Sequence, residues 1–99
     1  MLTKGNRNIE APIALDGFTQ VFDAPPVRAY RLTLRRNQQV KLKRTGPLLI
    51  VGLSDASKVM ANKKSFNKQG DFLFVQPSEK ILFANKDVQE YSFAVMELK

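Results

Sequence analysis

The 99-residue sequence predicts an all-β fold, an antiparallel sandwich or barrel, and three observations carry that prediction. Apolar and polar residues alternate with period two in several short segments, turn-forming residues recur about every ten positions, and no segment has a convincing amphipathic-helix pattern.

The elements follow in chain order. Residues 9–22, IEAPIALDGFTQVF, contain Pro12 and an Asp16-Gly17 turn. Proline offers no N–H to a ladder, so this stretch suits an edge strand or an arm rather than a central strand. AYRLTL puts Tyr30, Leu32 and Leu34 on one face and Ala29, Arg31 and Thr33 on the other. QVKLK repeats the pattern, with Val40 and Leu42 opposed to Lys41 and Lys43. Between them RRNQ is a turn in which Asn37 is best able to take a positive φ. PLLIVGL, FLFV and ILFA are continuous apolar runs bounded by turn formers and read as strands covered on both faces. SDASKVMANKKSF has helix-permissive Ala, Lys and Met, but the turn spacing favours a hairpin, Ser57 to Ala61 and Lys64 to Asn67 around Asn62-Lys63. YSFAVMEL supplies a last strand.

Composition narrows the function. No apolar run approaches the roughly 18 residues of a membrane span, and MLTKGNRNIE has no hydrophobic signal region, so a cytoplasmic protein without membrane contact is expected, or a secreted one whose signal peptide has been removed. The sequence has no cysteine, which fits an oxidising or a reducing compartment equally. It also has no histidine, which removes the commonest general base and the commonest transition-metal ligand, and with them imidazole-based triads and zinc or iron sites.

The net charge of +7 is concentrated in one segment: Arg28, Arg31, Arg35, Arg36, Lys41, Lys43 and Arg44 lie within residues 28–44, which contain no acidic residue. Such a cluster attracts anions through its field, and it also keeps a solvated strand soluble. Nucleic acid is a weaker expectation, because Phe72, Phe74 and Phe83 lie in apolar runs away from the basic segment, giving charge without a stacking platform.

YRLTLRRNQQV, GPLLIVGL and the Lys68-Gln69-Gly70-Asp71 turn followed by FLFVQPSEKILFAN resemble, in order and spacing, the single-domain cupins. The resemblance covers residues 28–98 and implies a small antiparallel double-sheet jelly roll, a cupin-like β-barrel, with residues 1–22 as an N-terminal arm or edge strands of the same domain. It also implies where metal ligands would stand. The family's histidine four residues before Asn85 is Ile81 in this chain; its earlier histidine pair falls on Leu42 and Arg44, or on Lys43 and Thr45 in the other register, and its glutamate falls on Leu48. Alternation favours Leu42 and Arg44. No ligand of the set is present in either register, so the resemblance implies a fold without the metal chemistry. Glycines of the family pattern are replaced by Asn37, Asp55 and Ser78, and Gln76 stands where the family often has proline.

The expectation is a metal-free, non-catalytic binding protein for a small anionic organic ligand at the barrel mouth. Arg44, Leu42, Leu48, Ile81, Phe83 and Tyr30 are its pocket residues, and no cofactor is needed. A guanidinium turned into an apolar cup needs an anion, supplied by the ligand or by a chain carboxylate such as Glu79. Leu48 and Ile81 equally fit a barrel simply filled with hydrocarbon. The alternative is a dimeric interaction module that docks an acidic protein or nucleic acid on a basic face formed by Arg31, Lys41 and Lys43 with Arg35 and Arg36 in the turn. A cofactor-free isomerase or lyase comes third. The resemblance also implies a homodimer paired through its sheets, with residues 9–22 as the pairing arm.

Overall fold

A computed structural model describes residues 10–98, so residues 1–9 of the expected arm, Ile9 among them, lie outside the described residues. Among the described residues nine strands follow in order: β1 (Phe18–Ala24), β2 (Val27–Leu34), β3 (Gln39–Lys43), β4 (Leu48–Gly52), β5 (Ala56–Ala61), β6 (Lys64–Phe66), β7 (Phe72–Val75), β8 (Lys80–Asn85) and β9 (Tyr91–Leu98). They form two sheets in which every recorded pairing is antiparallel. One is five-stranded, in the order β1-β2-β9-β4-β7, and the other four-stranded, in the order β3-β8-β5-β6. The fold is the expected double-sheet jelly roll. The expected hairpin is present as β5–β6, residues 56–66, with Asn62 at φ 56° in its turn. Among the described residues, no helix is long and apolar enough to cross a membrane.

The core lies between the sheets and is built by strand alternation. Tyr30, Leu32 and Leu34 of β2, Phe93 and Val95 of β9, and Leu48 and Ile50 of β4 turn inward from one sheet; Val40 and Leu42, Ile81 and Phe83, Val59 and Phe66 turn inward from the other. Phe93 packs edge-on against Phe66, with centroids 5.0 Å apart, and lies 6.4 Å from Phe83, so aromatic contacts tie the layers together.

The chain changes sheets at Arg35–Gln38. Asn37 has φ 58°, the Arg35 N–H donates to the Gln38 side chain at 2.8 Å, and the Gln38 N–H donates to the Arg35 carbonyl at 3.1 Å. β2 and β3 are therefore not paired; they belong to opposite layers.

The expectation that the apolar runs are covered on both faces is corrected. Phe72 is 59% exposed, Phe74 46% and Leu53 37%, and Leu82 of β8 also reaches the surface. β4 and β7 lie in a sheet with one face on the core and the other uncovered, so their unbroken apolarity reflects an apolar outer surface. Phe22 of β1, 55% exposed, lies on that same surface.

Candidate functional site

Arg28, Glu97 and Leu48 face one another across three neighbouring strands, because β2 pairs Arg28 with Glu97 and β4 pairs Leu48 with Glu97. Arg28 continues the inward series of Tyr30 and Leu32, and Glu97 continues that of Phe93 and Val95, so both charges are carried into the barrel by the alternation that builds the core. Glu97 is 3% exposed and Arg28 6%. From the other sheet, Val40 and Leu42 turn inward and Arg44 follows them just beyond β3.

These groups meet at one carboxylate. Arg44 Nε donates to Glu97 Oε2 at 2.5 Å and its Nη2 to Oε1 at 3.1 Å, a two-point pairing. The Tyr30 hydroxyl donates to Oε1 at 3.1 Å, and Arg28 Nη1 lies 3.6 Å from the same oxygen. A buried carboxylate is costly without partners, and here two guanidiniums and a phenol surround it. Burial opposes the charge on Arg44, but the hydrogen bond and charge of Glu97 outweigh it and raise its pKa above the ordinary guanidinium value. Arg28 Nε stands 3.4 Å from Asp23, yet it is buried without a hydrogen-bond partner.

Residues 10–13 close this end of the barrel by backbone contacts. The Glu10 carbonyl accepts from Arg28 Nη1 at 3.1 Å, the Ala11 carbonyl accepts from Arg44 Nη2 at 2.6 Å, and the Ile13 N–H donates to the Tyr30 hydroxyl at 3.1 Å. Ile13 itself is part of the core. Gly46 lets the following loop lie against β9, where a Cβ would stand only 2.5 Å from the Leu98 carbonyl oxygen. Thr45 then donates its N–H and hydroxyl to Glu10 Oε1 at 2.8 and 3.0 Å.

The Thr45 backbone hydrogen bond, with help from its hydroxyl and from Arg44, holds the Glu10 carboxyl below its ordinary range against the opposing effect of burial. A carboxyl whose pKa is lower folded than unfolded adds stability that is complete above the unfolded pKa and is lost as pH falls through the folded one. The contacts of residues 10–13 are therefore expected to weaken below the ordinary carboxylate range. Hydrogen exchange at the Ile13 amide should accelerate there in the wild type, whereas in Glu10→Gln it should be faster at neutral pH and lack that acid-side step.

Of the residues singled out in the sequence, Tyr30, Leu42, Leu48, Ile81 and Phe83 are all buried in the packed interior, and Leu42 and Ile81 are direct cross-strand partners. Lys43, opposite Lys80, points outward. Arg44 meets Glu97, not Glu79, because Glu79 turns back to accept the Gln76 N–H at 2.9 Å. Asp55 does not take the left-handed conformation of a turn glycine; it accepts the Gln69 N–H at 2.8 Å. Ser78 does take it, at φ 64°.

The basic face is not brought together. Arg31 lies on the outer face of the five-stranded sheet, Lys41 and Lys43 lie on that of the four-stranded sheet, and Arg35 pairs with Asp16 in the connecting corner. Arg28 is inside the barrel. The reason is the change of sheet at Asn37, which sends a contiguous charge run to opposite sides. Sequence reasoning also missed Glu97, Arg28 and Glu10 as partners. The available signal was parity, since Arg28 and Glu97 fall in the inward register of their own strands.

The positions where metal ligands were expected hold Leu42, Arg44, Leu48 and Ile81: three hydrocarbons and a guanidinium that is already hydrogen-bonded. Hydrocarbon has no lone pair to give and a protonated guanidinium repels a cation, so these residues do not fit a metal. Among the described residues no group of three acidic, histidine or cysteine side chains could hold one elsewhere.

The chain is similar to several solved structures. A cupin domain from Bordetella pertussis matches with a TM-score of 0.66 at 14% identity, over 93% of this chain and 99% of that one. A Cupin 2 conserved barrel domain protein from Salinispora arenicola matches with a TM-score of 0.68 at 9% identity, over 95% and 91%. A double-stranded β-helix domain protein from Klebsiella pneumoniae matches with a TM-score of 0.67 at 13% identity, over 82% and 74%. No protein-family model and no curated protein sequence matches.

Proposed function

From the premise that the chain folds as a cupin-like domain, we propose that it is a non-catalytic assembly module that works as a homodimer paired through the outer face of its five-stranded sheet. One observation carries this reading: the outer face of that sheet carries two adjoining apolar rows. Phe22, Ala29, Met96, Leu49 and Phe74 are successive cross-strand partners from edge to edge, and Ala94, Val51 and Phe72 form a second row beside it. Phenylalanines at both edges, uncovered over about half their surface, are a feature of interfaces rather than of solvated faces. Residues 10–13 are engaged in their own barrel, so β1, rather than the whole of residues 9–22, is the part of the arm that contributes.

The engagement of the hydroxyl and carboxylate groups singled out as acid–base candidates supports the non-catalytic part of the reading. The Tyr30 hydroxyl is shared between Glu97 and Ile13, and Asp71 and Glu79 each accept a backbone N–H from their own turn, so these groups are engaged structurally. An anionic ligand at the barrel mouth is a second reading, favoured by a groove of about 460 Å³ between residues 10–15 and residues 41–44. Against it, the guanidinium of Arg44 already meets Glu97 and the Ala11 carbonyl.

Sedimentation equilibrium tests the proposal. The wild type is expected to be dimeric at micromolar concentration, and Phe74→Asp to be monomeric with an unchanged far-UV spectrum. A wild type that stays monomeric into the high micromolar range would refute the assembly. Salt-tolerant thermal stabilisation by a small carboxylate, lost in Arg44→Ala, would favour the second reading instead.

A further inference from the structure

We propose that the opposite face of the molecule, the outer surface of the four-stranded sheet, holds a binding groove for a compact oligophosphate. The groove measures about 490 Å³ and is lined by Lys41, Lys43, Asn62, Lys80 and Leu82, with Leu42 and Ile81, whose side chains are buried, closing its floor. That volume is in the range of small-molecule sites. Because it lies on the other layer, this inference holds whether or not the chain dimerises.

The charge arrangement is the first argument. β3, β5, β6 and β8 contain no acidic residue. Lys43 and Lys80 are direct cross-strand partners, and Lys41 stands two residues along β3 on the same side. Like charges placed directly opposite each other destabilise a sheet, and an anion between them converts that repulsion into binding. Among the described residues no carboxylate pairs with Lys41, Lys43 or Lys80, in contrast to Arg28, Arg35 and Arg44, each of which meets one. Glu79, next to Lys80 in sequence, is turned to the Gln76 N–H.

The wall of the groove is fixed in place. The Asn62 side chain donates to the Lys80 carbonyl at 3.2 Å and accepts the Leu82 N–H at 3.0 Å, and its own N–H donates to the Leu82 carbonyl at 2.8 Å. Three hydrogen bonds thus hold the β5–β6 turn onto β8.

The residue types select the ligand. Lysine ammoniums are compact point charges with three donors each, suited to phosphate oxygens, whereas the groove lacks the arginine fork that would favour a single planar carboxylate. Three cations close together favour an anion with several charges. Leu82, the apolar side chain of the groove, offers no aromatic ring on which a base could stack, so the phosphates rather than a nucleobase supply the recognition.

Isothermal titration with inorganic tripolyphosphate, a nucleoside triphosphate and a short DNA duplex, at two salt concentrations, tests this on wild type, Lys43→Gln and Lys80→Gln. Tripolyphosphate is expected to bind at low salt, each substitution to weaken it about tenfold, and the unliganded variants to be at least as stable as wild type because a like-charge contact is relieved. Equal affinity for the two triphosphates would show that the phosphates alone are read and supports the groove, whereas a tenfold preference for the nucleotide would require contacts to its nucleoside and count against it. Absence of tripolyphosphate binding, binding that both variants retain, or a duplex that binds more tightly than either triphosphate would overturn it.

Discussion

Glu97→Ala is expected to destabilise the protein by about 3–5 kcal/mol, the cost of stranding buried charges that have lost their partner. Arg44 loses a two-point pairing, Arg28 loses its closest carboxylate oxygen inside the barrel, and the Tyr30 hydroxyl loses an acceptor. Asp23 and Glu10 stay near the two guanidiniums, at 3.4 and 3.5 Å, but both are more exposed than Glu97 and replace little of it. Urea unfolding followed by circular dichroism, with an unchanged slope and a lower midpoint, is the expected observation. Replacing the whole group, Arg28→Met with Arg44→Met and Glu97→Leu, should recover most of the loss, since hydrophobic substitutes for a buried ion group carry no desolvation cost. A Glu97→Ala protein within 1 kcal/mol of wild type would mean that water reaches the guanidiniums and that this end of the barrel is open.

The strand pattern was legible because period-two alternation and turn residues are local properties. β3, β7 and β9 have the bounds their sequences indicate, as QVKLK, FLFV and YSFAVMEL. What was not legible depends on which strands become neighbours. The run from Arg28 to Arg44 reads as one basic face only if β2 and β3 share a sheet, and the turn at Asn37 sends them to different ones. The apolar runs of β4 and β7 look the same in sequence whether their second face meets the same chain, another copy or water. Glu97 and Arg28 form their pair only because β9 lies beside β2, a long-range adjacency that no local pattern encodes. At the ligand positions the sequence was more informative, because the hydrocarbon side chains of Leu48 and Ile81 offer a metal no donor in either register of the first motif.

Ile81→Ala tests what has replaced that coordination. Ile81 is 2% exposed, opposite Leu42 in the ladder and inside the hydrocarbon core. Its truncation is expected to cost about 2–5 kcal/mol, the lost transfer free energy of the removed carbons together with the cavity left among neighbours that relax only in part. A barrel with a water-filled cup behaves differently, because shortening a side chain that already touches water removes little burial and creates no void; there the loss should stay below about 1 kcal/mol. The two cases also separate by ligand response. A dry cavity lined by hydrocarbon takes up a small apolar probe such as benzene and regains stability in proportion to its occupancy, whereas a wet cup gives the probe no such advantage over water. A large loss partly restored by benzene would establish that hydrocarbon packing occupies the positions of the absent ligands. That outcome, with Arg44 already held by Glu97, would support the two proposals that place recognition on the outer faces, one apolar and one lined with lysine.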